Sequence, residues 1–203
     1  MSEPGTTVVI GVGNRLRGDD GIGPAVIDRL RGRGVAAGVR LVTCEGEVTE
    51  LIEAWERATV AIVIDAVRSG AARPGSVHLV PREDSGWGQH ARASSHGLGV
   101  QDAVVLARQL GRLPGDLVLI GVEGGHFGLG TPLSAPARVG IEQVVALVEQ
   151  QLTQIDARAQ RCHVPGHAEV DYPSHLPPHP ENPPRGQPRI TGIVTTSLLR
   201  PSN

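Results

Sequence analysis

Short runs of apolar, largely β-branched residues alternate with amphipathic stretches through the first three quarters of this chain. That alternation is the signature of strands joined by crossover helices, and it directs the chain to an α/β fold. Strands are expected at 7–12, 39–43, 60–67, 75–80 and 116–122, with helices at 22–31, 48–58, 98–110 and 137–155. The runs at 7–12, 60–67 and 116–122 are apolar almost throughout, as strands are when helices cover both faces of a mostly parallel sheet. The helical stretches carry Val48, Leu51, Ile52 and Trp55, then Val100, Ala103, Val104, Ala107 and Leu110, close to the 3.6-residue period, so both should pack on the sheet. The run at 75–80 is short, follows a turn signal at Arg73-Pro74-Gly75, and is expected at an edge.

The chain has 203 residues, enough for one ordinary domain with some surplus. Beyond position 157 the composition changes: nine of the 16 prolines and four of the 8 histidines fall in 161–203, with few consecutive apolar residues. The expectation is one domain over 1–156 and a Pro/His-rich, disordered tail over 157–203, in which only 190–199 could dock as a strand. His163, His167, His175 and His179 lack the dense spacing of a metal tract. A net charge of -2 without a basic run argues against nucleic acid and membrane partners. The polar N-terminus leads into an apolar run too short for an export signal or a span, and Cys44 and Cys162 lie too far apart to read as a disulfide framework. A cytoplasmic location is expected.

Three places hold candidate chemistry. The first is the loop Gly11-Val12-Gly13-Asn14-Arg15-Leu16-Arg17-Gly18-Asp19-Asp20-Gly21-Ile22-Gly23-Pro24. A dinucleotide reading fails there, because the third glycine of G-x-G-x-x-G falls on Leu16 and the two aspartates would repel a pyrophosphate. One of these carboxylates is explained by helix capping ahead of Pro24, which leaves the other to explain. The second place is Asp65, at the end of an apolar run, where burial demands a cation or hydrogen-bond donors; a turn that donates its N–H groups would suffice. The third is His96 in Ser94-Ser95-His96-Gly97, ahead of a helix. Most loop histidines are only solvated, but imidazole is also the commonest metal ligand.

Asp20, Asp65 and His96 each sit at the edge of a different βα unit, which allows them to share one rim of the sheet. Two oxygens and a nitrogen with open positions suit a divalent ion such as nickel or zinc, whereas a closed structural zinc site takes four ligands. Nucleophile machinery is not apparent: there is no G-x-S-x-G, H-E-x-x-H or Walker loop, and adjacent Ser95 and His96 rarely form a nucleophile–base pair. Glu45 and Glu47 beside Cys44 should raise its thiol pKa rather than activate it.

Gly-Val-Gly-Asn at 11–14 with Gly-Asp-Asp-Gly-Ile-Gly at 18–23, Ile-Asp-Ala at 64–66, Ser-His-Gly-Leu-Gly at 95–99, and the strand at 118–122 followed by Glu123 together resemble the hydrogenase maturation endopeptidases, over about residues 7–153. The resemblance implies a three-layer α/β/α sandwich with a small twisted, mostly parallel sheet of about five strands. It also implies an aspartic-type, nickel-dependent peptidase that clips a C-terminal extension from the precursor of a nickel-iron hydrogenase large subunit after nickel insertion. Asp20, Asp65 and His96 match the family's metal-contacting residues. The nickel would be supplied by the precursor, so that no tightly bound metal of the enzyme's own is expected, and Asp19 is a candidate base if it is not a cap. The segment Cys44-Glu45-Gly46-Glu47-Val48-Thr49 departs from the Gly-rich turn of many members and should influence which precursor is accepted, while the tail has no counterpart. The alternative is a non-enzymatic nickel-binding chaperone or checkpoint protein of hydrogenase assembly, which needs the same ligands and no cleavage.

Overall fold

The computed structural model describes residues 6–35, 37–80 and 97–162. In chain order these form β1 (Thr7–Val12), a 3-10 turn (Gly18–Gly21), α1 (Ile22–Arg33), β2 (Val39–Cys44), α2 (Val48–Ala54), β3 (Val60–Val67), β4 (Val77–Val80), α3 (Gly97–Gln109), β5 (Asp116–Glu123) and α4 (Ala135–Cys162). The five strands make one sheet in the order β2-β1-β3-β5-β4. β1, β2, β3 and β5 run parallel, and β4 closes one edge antiparallel to β5, as its short, turn-bounded sequence predicts.

Alternate residues of each strand feed two cores. Val8, Ile10, Val12, Ala61, Val63, Leu117 and Leu119 face α2 and α3, where Leu51, Ile52, Trp55, Val100, Ala103 and Ala107 meet them. Val9, Ile62, Ile64, Ala66, Ile120 and Val122 face α1 and α4 through Val26, Ile27, Leu30, Ile141, Val144, Val145 and Val148. The result is the three-layer α/β/α sandwich. Each fully buried aliphatic side chain contributes about 1.5–3 kcal/mol of transfer free energy, so these two cores dominate the stability. The Arg33 ion pairs with Glu142 and Glu149 join α1 to α4 across half-exposed surface and add little.

Two helices end more than two residues from where their sequences predict. α2 stops at Ala54 rather than 58, because the chain must turn back into β3: Ala58 N donates to Trp55 O, Thr59 N donates to Thr6 O, and Arg57 takes a φ of 60°. α4 continues past 155 to Cys162, since no proline or glycine lies between 155 and Pro165. The helix therefore crosses position 157, where the tail was expected to begin. The remainder of that segment, including 190–199 and the four tail histidines, lies outside the described residues.

Candidate active site

The loop after β1 turns on Gly13, whose φ of 130° is open to glycine alone, and a Cβ there would stand 1.9 Å from the Asp20 carbonyl oxygen. That close approach folds the loop onto itself and buries Asp20 completely. Asn14 N donates to Asp20 Oδ2 at 2.9 Å, and Asp20 N donates to Arg17 O at 3.2 Å. The turn packs against β3, and at Gly23 an added Cβ would lie 2.8 Å from Ile64 O. Asp65 is the next residue of β3; it is buried, and its side chain lies on the face covered by α2 and α3.

The sheet order places these two carboxylates at a particular crevice. From β1 the chain crosses to β2 on one side, and β3 begins the other side, so the gap between the carboxyl ends of β1 and β3 is the topological switch point. Open α/β sheets gather their ligand groups there. Asp20 follows β1 and Asp65 nears the end of β3, so the structure brings both to one rim. His96 lies outside the described residues, as do Ser94 and Ser95. The residue after His96 opens α3, whose first turn is wedged against the segment following β2: a Cβ on Gly99 would stand 1.9 Å from Gly46 O. Among the described residues no three His, Cys, Asp or Glu side chains form a metal-holding group.

Asp19 serves neither as cap of the helix that follows it nor as an available base. Its Oδ2 accepts from Gly125 N at 2.8 Å, His126 N at 3.1 Å and Ser134 Oγ at 3.0 Å, while Oδ1 accepts from Ser134 N at 2.7 Å. Neither the 3-10 turn nor α1 has a side-chain cap. Burial alone would raise the Asp19 pKa, yet the hydrogen bonds from Ser134, Gly125 and His126 outweigh it and hold the carboxyl below its ordinary value. A low-pKa carboxylate with both oxygens occupied is a poor proton acceptor. Ser134 in turn caps α4, accepting from Ala137 N, so Asp19 fastens the start of the last helix to the first loop.

Cys44 is buried with its thiol pushed up to about 12: burial is the main cause, a Gly46 N–H opposes it, and Glu50 and Asp65 add to it. The direction is as expected, but the acidic neighbours that matter are Glu50 and Asp65 rather than Glu45 and Glu47. It is no nucleophile at neutral pH.

Glu123 enters the sequence reading only as the residue after a strand, and the structure gives it a definite task. Buried at the end of β5, it accepts Ser69 N at 2.8 Å and Gly70 N at 3.0 Å on Oε1, and Ser69 Oγ at 2.8 Å on Oε2. It thereby holds the turn that follows β3 and Asp65. An ionisable residue closing an apolar strand is the same signal that singled out Asp65, and it would have found Glu123 as well. His78 Nε2 stands 3.9 Å from Glu123 Oε2, and its backbone pairs with Gly121, the residue that also pairs with Asp65.

Residues 25–151 match the profile of the hydrogenase maturation protease family, more than half of the chain. The chain belongs to that family. It is 32% identical over 143 residues to the hydrogenase expression/formation protein HupM of Azotobacter chroococcum, covering 69% of this chain and 68% of the relative. Identity to the hydrogenase 2 maturation protease of Escherichia coli is 28%, over 70% of this chain and 90% of that one. Among solved structures, the maturating endopeptidase HybD from Escherichia coli superposes with a TM-score of 0.65 at 25% identity, covering 73% of this chain and 93% of that one. The α/β/α fold and the protease family that the motifs resemble thus agree with the family match and the superposed structure. No helix among the described residues of this protease is long and apolar enough to cross a membrane.

Proposed function

We propose that this protease removes the C-terminal extension of a nickel-iron hydrogenase large-subunit precursor in the cytoplasm, after nickel insertion, and reads the nickel that the precursor carries. The observation that supports this most is the pair of buried carboxylates, Asp20 and Asp65, at the switch point of a hydrogenase maturation protease fold. Oxygen ligands from these two and an imidazole from His96 suit a borderline divalent ion and leave positions for ligands from the precursor. Held by these residues, nickel of the precursor would supply a Lewis acid for the scissile carbonyl. Asp19, committed to hydrogen bonds, is not the base that takes a proton from the attacking water.

The experiment is incubation of nickel-loaded precursor with the pure protein, followed by its mass. A shortened precursor is expected. Asp20→Asn, Asp65→Asn and His96→Ala should each slow processing at least a hundredfold while leaving thermal unfolding close to wild type; at position 20 asparagine keeps an acceptor for the Asn14 N–H. Full processing by His96→Ala refutes the ligand set. A precursor that binds but keeps its full mass instead identifies a non-enzymatic nickel-binding checkpoint protein.

A further inference from the structure

Beside Asp20, two leucines stand in solvent on loops that are bound to each other. Leu16 is 67% exposed and Leu129 is 79% exposed. Their backbones are not loose. Leu16 N donates to Asn14 Oδ1 at 2.8 Å, and Leu16 O accepts from Gly130 N at 2.6 Å. Arg17 bridges to Thr131 in parallel, Gly18 N donates to Thr131 O at 3.1 Å, and Asp19 N donates to His126 O at 2.7 Å. The Asp19 carboxylate closes the same seam from beneath.

A single exposed leucine is ordinary on any protein surface. These two differ in that they stand on a zipped pair of loops, in chain segments more than a hundred residues apart, with the neighbour of Leu129, Gly130, bonded to the Leu16 carbonyl. Leu16 also belongs to the turn that supplies Asp20, whose N–H donates to Arg17 O. Because the backbone is already ordered, a partner that covers the ridge loses little conformational entropy in doing so.

We propose that Leu16 and Leu129 form the ridge on which an apolar segment of the precursor polypeptide, flanking its cleavage point, docks. The proposal rests on the protease reading above. Leu16 lies in the same tight turn as Asp20, and an extended chain advances about 3.3 Å per residue, so a peptide whose scissile bond reaches Asp20 has these loops within reach of its next few residues. A second copy of this chain is a poorer occupant, since two leucine side chains fall far short of the roughly 1,000 Å² that a stable interface requires. Leu110, 55% exposed after the end of α3, offers an apolar control outside the seam.

The test is steady-state processing of nickel-loaded precursor by the full chain, together with its affinity for the precursor measured by interferometry. Leu16→Ser with Leu129→Ser should raise KM at least tenfold with kcat within twofold, whereas Leu16→Met with Leu129→Met and Leu110→Ser should behave as wild type. Unchanged KM in the serine double variant overturns the proposal, as does a fall in kcat alone or a methionine variant as impaired as the serine one. If the wild type leaves the precursor uncut, the protease reading fails and affinity decides the ridge: tenfold weaker binding by the serine variant supports it, and equal binding overturns it.

Discussion

Asp19 and Asp20 are chemically identical neighbours, and only the groups that reach them set their tasks apart. Asp19 meets N–H groups from Gly125, His126 and Ser134, and is consumed by them. From the sequence, capping is the cheapest account of an aspartate ahead of a helix, and no local signal points to donors more than a hundred residues away. Removing the carboxylate by Asp19→Ala strands those part-buried donors, which should cost about 1–3 kcal/mol in urea unfolding at pH 7. The pH dependence has a definite sign. Because the folded pKa lies below the unfolded one, near 3.9, the contribution is complete above that value and is lost as pH falls through the folded pKa. Asp19→Asn should therefore be less stable at pH 7 and show a shallower loss as pH falls below the ordinary carboxylate range. Asp28, also lowered, chiefly by its hydrogen bond from Arg15, remains in both proteins and cancels from the comparison. A difference between wild type and Asp19→Asn that does not shrink on acidification would contradict this account.

Among the elements, α3 is legible as a helix because its apolar residues recur at helical spacing, yet its spacing says nothing about what its first turn touches. That turn lies against the segment after β2, with Gly99 facing Gly46 O so closely that no side chain fits. Gly99→Ala is expected to push the start of α3 outward and to cost about 1–3 kcal/mol, the range for overpacking a tight contact. Processing should fall far more than stability does, because His96 immediately precedes this turn. Differential scanning calorimetry alongside the precursor assay separates the two effects; processing unchanged in a destabilised variant would mean that the turn has no part in the site. The opposite case is α2, where periodicity through Trp55 overstates the helix, since Trp55 packs in the core from the turn that closes onto β1.

For the whole molecule, the two buried cores run from Val8 to Leu152 among the described residues, and the family match covers 25–151. A chain ended after Cys162 should therefore unfold in one cooperative transition with a midpoint within a few degrees of the full chain, and should process precursor at the same rate. Loss of cooperativity or of processing would assign residues 163–203 a structural or functional role. The same scale governs the site, because the switch point exists only through the strand order β2-β1-β3.

By itself the sequence determined the α/β class, four of the five strand starts and the apolar residues that fill both faces. It also marked Asp20, Asp65 and His96 as candidates and excluded a phosphate loop by the spacing after Gly13. Those are properties of periodicity and residue type, which local sequence carries directly. The tertiary structure alone decided that Asp20 and Asp65 share a rim, that Asp19 is a clasp on α4 and not a base, that Glu123 holds the turn beyond Asp65, and that Leu16 and Leu129 stand on loops bonded to each other. Each of these depends on hydrogen bonds or strand neighbours far apart in the chain, and such pairings are settled by packing of the whole fold rather than by any run of residues within it.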